Sequence, residues 1–336
     1  MKPLPDLPGA LEASIGLRVD QIDTPALVVD LDAMERNIAR MADFARKHQV
    51  LWRPHAKMHK SAEIALLLQR AGAVGACVQK TAEAMAQAAP QARIDVLVEI
   101  DVGQGRCGVP PGEPALALAQ AVARLTPLRF AGLHAYHGRA QHLHSAADRR
   151  DAIAAAVQAA RHTRDLLTNA GLPVPLVTGS GTGTLVHEAA SGVYGELQAG
   201  SFLFMDADYA RNEREPAQPA FEQALFVKTQ VISACSSHAV CDAGHKSHAI
   251  DSGLPTVALL PPGRALRYAN GGDEHGVLYA DGPQARLPAL GQMLWLVPGH
   301  CDPTVNLHNF LIGVRGGLTA GVVERIIRVD ARGALT

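Results

Sequence analysis

From Pro25 onward, short apolar runs alternate with longer stretches whose apolar residues return every three or four positions. Pro25-Ala26-Leu27-Val28-Val29-Asp30-Leu31 reads as a buried strand. Asp32 follows with Glu35 three residues on, the mark of a helix-opening capping box, and Met34, Ile38, Met41 and Ala45 then recur at helical spacing. The alternation repeats, with strands predicted at 50–52, 75–79, 95–101, 128–136, 175–178 and 196–199, and helices at 61–71, from about 81, at 114–125 and at 146–170. About seven strand-then-helix units in roughly 200 residues predict a parallel sheet closed into a barrel, with an open doubly wound sheet as the rival. Near residue 224 the helical periodicity stops, and short strands broken by Gly, Pro and Asp take over. The fold is thus read as α/β: a (β/α)8 TIM-type barrel over 23–223, then a smaller β-rich domain over 224–336 that residues 1–22 join.

Composition removes several functions. Hydrophobic residues make up 48% of the 336 but aromatic ones only 4%, so the core is built from Ala, Val, Leu and Ile. The 31 basic and 32 acidic side chains leave a net charge of -1, with no basic stripe for a nucleic acid. No apolar run reaches the roughly 18 residues of a membrane span. The opening MKPLPDLPGALEAS is too rich in proline and acid for a secretory signal. Cys77, Cys107, Cys235, Cys241 and Cys301 are odd in number and irregularly spaced, which reads as reduced thiols of a cytoplasmic protein.

Candidate chemistry gathers at four places. Arg53, His55, Lys57, His59 and Lys60 crowd the stretch after 50–52, where a barrel strand would end and catalytic groups are placed. Desolvation or neighbouring positive charge turns a lysine into a nucleophile, and these neighbours could supply the charge. A solvated basic loop is the plain alternative. Val177-Thr178-Gly179-Ser180-Gly181-Thr182-Gly183-Thr184 is a strand entering a Gly-Ser-Gly-Thr turn with a helix behind it. Its glycines let backbone N–H groups approach an anion, and the hydroxyls and helix N-terminus add to the pull, although the nucleotide-triphosphate form GxxxxGK[ST] is missing. Gly200-Ser201 would offer a second set of donors to the same phosphate, with Gln198 two residues earlier on that strand. A lysine near a phosphate pocket at a barrel mouth is what pyridoxal phosphate needs. Finally, His300 and Asp302 would face one way on extended backbone and Cys301 the other, half a shell for Mn²⁺, Mg²⁺ or Zn²⁺. A turn there would instead make the thiol a ligand.

Several stretches in the same order resemble the D-threonine aldolase and D-serine dehydratase family, fold-type III pyridoxal phosphate enzymes of alanine racemase architecture. They are Arg53-Pro54-His55-Ala56-Lys57, Glu99-Ile100-Asp101-Val102-Gly103 with Arg106-Cys107-Gly108, the Gly-Ser-Gly-Thr turn, Phe204-Met205-Asp206-Ala207-Asp208-Tyr209, Glu274-His275-Gly276 and His300-Cys301-Asp302-Pro303-Thr304. The resemblance spans most of the chain, from Asp23-Thr24-Pro25-Ala26 to His300-Cys301-Asp302. It implies that Lys57 bonds covalently to the cofactor and that Gly181, Thr182, Gly200 and Ser201 lie near its phosphate. It sets Gln198 where alanine racemases carry an arginine facing the pyridine nitrogen, and Tyr136, Arg139 and Tyr209 in the pocket. It implies a divalent metal at His300 and Asp302. Related dehydratases carry a zinc-preferring His-x-Cys, whereas the His-x-Asp form belongs to the aldolases and favours a harder ion such as Mn²⁺.

The implied reaction is cleavage of a D-configured β-hydroxy-α-amino acid, D-threonine-like, to glycine and an aldehyde; a dehydratase of the same family is the alternative. His55, His59, His137 and His142 are candidates for the base that takes the β-hydroxyl proton. The chain after residue 224 argues against a pure cofactor carrier, and no second-face tyrosine motif supports a racemase. The resemblance also implies a homodimer.

Overall fold

The structure, a computed structural model, describes residues 8–78, 94–125, 128–260, 265–282 and 285–333. The helix expected from about residue 81 lies outside them. The apolar run after Pro25 forms β1 (Ala26–Asp30), and the chain turns straight from it into the helix Leu31–His48. That helix starts two residues earlier than expected. Asp30 is its N-cap, its carboxylate accepting the Ala33 N–H at 3.1 Å, while Asp32 and Glu35 instead receive the Arg315 guanidinium. Several acidic residues stand near this helix start, and the abrupt end of the strand selects the earlier one. Met34, Ile38 and Met41 are buried, as the spacing predicts.

Five strands form an all-parallel sheet: β2 (Leu51–Trp52), β3 (Ile94–Glu99), β4 (Leu128–Ala135), β5 (Val177–Gly179) and β6 (Glu196–Leu197). Their order is β2-β6-β5-β4-β3, so the last strand in sequence lies against the first. Just past β2, His55 bridges in parallel to Cys77 and carries the ring onward. The sheet wraps as an α/β barrel. Helices Glu113–Ala123 and Ala146–Asn169 cover β3 to β5, burying Ala115, Ala119, Ile153, Ala156 and Ala160 against Leu133 and Val177. Alanines on the helices allow them to approach the aliphatic strand residues closely.

The β-rich part comprises β7 (Leu225–Ala234), β8 (Ala239–Cys241), β9 (Thr256–Ala258), β10 (Leu266–Asn270), β11 (Gly276–Ala280), β12 (Met293–Val297), β13 (Phe310–Arg315) and β14 (Val322–Arg328). β1, read from its sequence as the opening barrel strand, is hydrogen-bonded here: antiparallel to β7 and parallel to β13. Its apolar run reports burial on both faces but carries no information about neighbours. Buried Lys228 on β7 donates to the Ile22 carbonyl at 2.5 Å and fastens the segment before β1 to this sheet. No helix among the described residues is long and apolar enough to cross a membrane.

One buried cation braces the loops that lead toward the barrel mouth. Arg149, on the helix Ala146–Asn169, donates to the carbonyls of Leu143 (2.6 Å), His144 (2.8 Å) and Glu213. Arg149→Met keeps the bulk and strands these acceptors. It should lower stability by about 3 kcal/mol, read as an earlier urea midpoint at unchanged slope.

Candidate active site

Lys57 sits in a one-turn 3-10 helix, Ala56–Met58, directly after β2. The His55 ring nitrogen accepts the Lys57 N–H at 3.3 Å, and Met58 is buried, so the turn is held from both sides. The five basic residues of this stretch go to different places. Arg53 pairs with buried Glu196 at 3.0 Å. His59 turns inward, and burial holds its pKa at about 3. His55 faces a cavity and is held at about 4, by burial first and by the Lys57 charge second. Lys60 donates to Asp302 at 2.5 Å and to the Lys57 carbonyl at 2.8 Å. The two imidazoles are therefore neutral and bring no charge to Lys57; Lys60 is its cationic neighbour.

The cavity holds about 440 Å³ and Lys57 lines it. Gly181, Thr182, Gln198, Gly200, Ser201, Tyr209 and His300 line it as well, together with Tyr136. Arg139 and Asp302 are not among its lining residues. Arg139 opens a 3-10 turn whose backbone N–H is held by Gln104 at 2.8 Å.

Two loops approach each other at the cavity wall. Thr182 Oγ1 accepts the Phe202 N–H at 3.0 Å, which ties the 180–184 loop to the 200–202 turn. A Cβ on Gly181 would collide with Gln141 Oε1, and one on Gly200 would lie 2.9 Å from the His55 carbonyl. A side chain at either position would force a neighbour to shift. Their backbones and hydroxyls suit a phosphate, with the qualification that the helix behind the first loop, Leu185–Ala190, has just six residues. Loop donors, rather than a long helix end, must carry the charge.

Gln198 Oε1 is 3.0 Å from His134 Nε2, and His134 Nδ1 is 3.7 Å from Glu99. A ring nitrogen at Gln198 would therefore meet a neutral amide. Burial raises the pKa of the Tyr209 hydroxyl well above its usual value and keeps it protonated. Arg106 lines the same space with its guanidinium 5.8 Å from the centre of the Tyr136 ring.

The metal pair has a different backbone from the one expected. His300 is extended, but the chain then turns into a short helix, Cys301–Val305. Pro303 in the first turn favours that start, and Thr304 closes it by donating to the His300 carbonyl at 2.8 Å. The turn does not bring the thiol forward. Cys301 is fully buried and donates to the Met205 carbonyl at 3.2 Å.

His300 Nδ1 lies 2.8 Å from the fully buried Asp206 carboxylate, which leaves Nε2 for a ligand. Burial disfavours the imidazolium, yet the Asp206 hydrogen bond and charge outweigh it and raise the His300 pKa. A carboxylate behind an imidazole is what a metal-binding histidine ordinarily has. Asp302 meets two ammonium groups, Lys60 at 2.5 Å and Lys57 at 3.8 Å. No group of three metal-ligating side chains converges among the described residues. A cation here would have His300 and Asp302, and it would replace the lysines at Asp302.

Of the four candidate bases, His55 and His142 line the cavity, and His59 and His137 do not. His142 Nδ1 is 2.6 Å from Asp208. Burial opposes ionisation of Asp208, but His142 and Arg211 together hold its pKa down at about 2.

Sequence reasoning missed Asp206, Gln141 and Arg106 as site residues. The first and last lie inside stretches quoted for the resemblance, and nothing local marked Gln141.

Comparison with known proteins completes the picture. The family described as alanine racemase, N-terminal domain, matches residues 78–208, and that described as putative serine dehydratase domain matches residues 224–314. A D-threonine aldolase of Arthrobacter sp is 40% identical, over 93% of this chain and 93% of its own. A 3-hydroxy-D-aspartate aldolase of Paracoccus denitrificans is 38% identical, over 98% of this chain and 95% of its own. The chain belongs to the D-threonine aldolase and D-serine dehydratase family. Members of this family are fold-type III pyridoxal phosphate proteins, and the chain is an enzyme, a carbon–carbon lyase. The crystal structure of D-threonine aldolase from Filomicrobium marinum superimposes with a TM-score of 0.89 at 42% identity, covering 96% of this chain and 99% of that one.

The glycine geometry carries a prediction. Gly181→Ala should weaken pyridoxal phosphate binding about tenfold or more while shifting the melting temperature little, because Gln141 must move and the loop with it. Fluorescence titration of the cofactor-free protein measures the affinity.

Proposed function

We propose that the protein is a divalent-metal-dependent aldolase that cleaves D-configured β-hydroxy-α-amino acids of the D-threonine type into glycine and an aldehyde, acting in the cytoplasm as a homodimer. The observation that carries this reading is that Lys57, the paired glycine loops and His300 face one cavity, with Asp302 against Lys57. When bound, pyridoxal phosphate supplies an electron sink for the bond broken at Cα, and the metal supplies Lewis acidity toward the β-hydroxyl. Lys57 would hold the cofactor covalently. Gly181, Thr182, Gly200 and Ser201 would bind its phosphate. Gln198 would face the ring nitrogen, and Tyr209, with Arg139 nearby, would bound the pocket.

Arg106 would receive the substrate carboxylate. His300 and Asp302 would hold the metal, proposed as Mn²⁺, with Mg²⁺ or Zn²⁺ as substitutes. For the base we favour His142: it faces the cavity, and Asp208 orients its Nδ1 and leaves Nε2 to take a proton. The imidazole and carboxylate at 300 and 302, in place of an imidazole and a thiolate, favour the aldolase over the dehydratase.

Incubation with D-threonine should release acetaldehyde and glycine. Ammonia with 2-oxobutyrate would instead establish the dehydratase. Asp302→Ala should lower turnover about 100-fold or more and remove its response to added Mn²⁺, while the cofactor absorbance persists. Full activity of this variant under a chelator would remove the metal from the reaction.

A further inference from the structure

Behind the Gly-Ser-Gly-Thr loop lies a carboxyl group that the reaction does not use. Glu188, on the helix Leu185–Ala190, is 1% exposed. Its Oε1 accepts the Thr184 hydroxyl at 2.7 Å. Thr184 in turn accepts from the Gln141 amide at 2.8 Å, and Gln141 Oε1 accepts the Gly183 N–H at 2.9 Å. A relay of three hydrogen bonds thus runs from Glu188 to the backbone of the loop. The other oxygen, Oε2, is buried without a partner. Among the described residues, Thr184 and Ser180 hydrogen-bond the carboxyl and Tyr194 and Tyr136 feel its charge, and none of these groups is cationic. Ser180 is itself held at φ 75°, lines the cavity and donates to the Gly181 carbonyl at 3.3 Å.

We propose that Glu188 is a positioning residue of the phosphate loop and works as the neutral acid, its Oε2 carrying a proton that it donates to Ser180. In this state both oxygens are satisfied, and the carboxyl holds the loop from two directions, through Thr184 and through Ser180. A carboxylate in the same place would satisfy Oε2 only by turning the Ser180 hydroxyl away from the Gly181 carbonyl, and it would put a negative charge behind the donors that must attract a phosphate. Burial independently raises the Glu188 pKa to about 7. The sign follows. Below that pH the acid form supports anion binding; as pH rises through it, the carboxylate forms and binding weakens. Reciprocally, a bound phosphate favours the proton, so cofactor binding takes up a proton near neutral pH.

This inference rests on the cofactor reading above. The experiment is an equilibrium titration of the cofactor-free full chain with pyridoxal phosphate from about pH 6 to pH 9, for the wild type and Glu188→Gln. The cofactor's own titrations are common to both proteins and cancel in the ratio of affinities. The wild type should lose about tenfold relative to Glu188→Gln across this range. A ratio that stays constant overturns the proposal. Infrared spectra of wild-type protein carrying ¹³C-labelled glutamate give a second reading that does not depend on the variant folding. A protonated carboxyl band should strengthen on cofactor addition, and its absence from the loaded protein overturns the proposal. Borohydride reduction separates the two levels. No labelled Lys57 peptide sinks the cofactor reading itself, whereas a labelled peptide with a pH-independent ratio sinks the role of Glu188 alone.

Discussion

The meeting of the two sheets at the cavity depends on one buried carboxylate. Asp206 is fully enclosed, and it accepts the His300 ring N–H, the Cys301 N–H at 3.0 Å and the Tyr209 N–H at 3.0 Å. A charge in the interior survives only when its lone pairs are satisfied, and here three donors from two distant segments do so. The segment 206–209 follows the parallel barrel, whereas 300–301 follows β12 of the mixed sheet. Asp206 therefore joins the two sheets at the point where they meet the cavity. It also sets the Tyr209 and His300 rings with centres 6.4 Å apart. Loosening this carboxylate would move the imidazole and the phenol together.

Electrostatics near Lys57 work by separation rather than accumulation. In sequence, the stretch from Arg53 to Lys60 looks like a block of positive charge. In space, Arg53 is neutralised by Glu196, which Thr178 also binds at 2.9 Å. Two imidazoles are uncharged, and Lys60 is spent on Asp302. Of this stretch's cations, Lys57 alone lines the cavity, beside a carboxylate that it shares with Lys60.

Local features were legible in the sequence. Lys57 follows a strand end, Gly181 and Gly200 follow strands as well, and all three line the cavity. The barrel was legible because strand–helix alternation is itself a local pattern. The partners that complete the site were not. Gln141 touches Gly183 and Thr184 from some forty residues away, and Asp206 meets His300 across a greater gap. Periodicity cannot report such encounters. The turn at Cys301 was readable in part, since Pro303 suits a helix's first turn, but two ligands at i and i+2 suggest an extended strand equally well. Arg139 was placed by resemblance; it is not among the residues that line the cavity, whereas Arg106 is.

The position of β1 bears on how the chain comes to be folded. Val28 pairs with Phe226 on one side and with Ile312 on the other, so this early strand waits for two later ones. During synthesis the barrel units from 94 to 197 can condense among themselves as soon as they emerge, because their partners are close in the chain. The strand at 26–30 has no such recourse; its second edge stays open until residues 310–315 have been made. A message truncated shortly before codon 310 would thus release a chain whose mixed sheet has an unfilled, aggregation-prone edge at β1, even with Lys57 and both glycine loops in place.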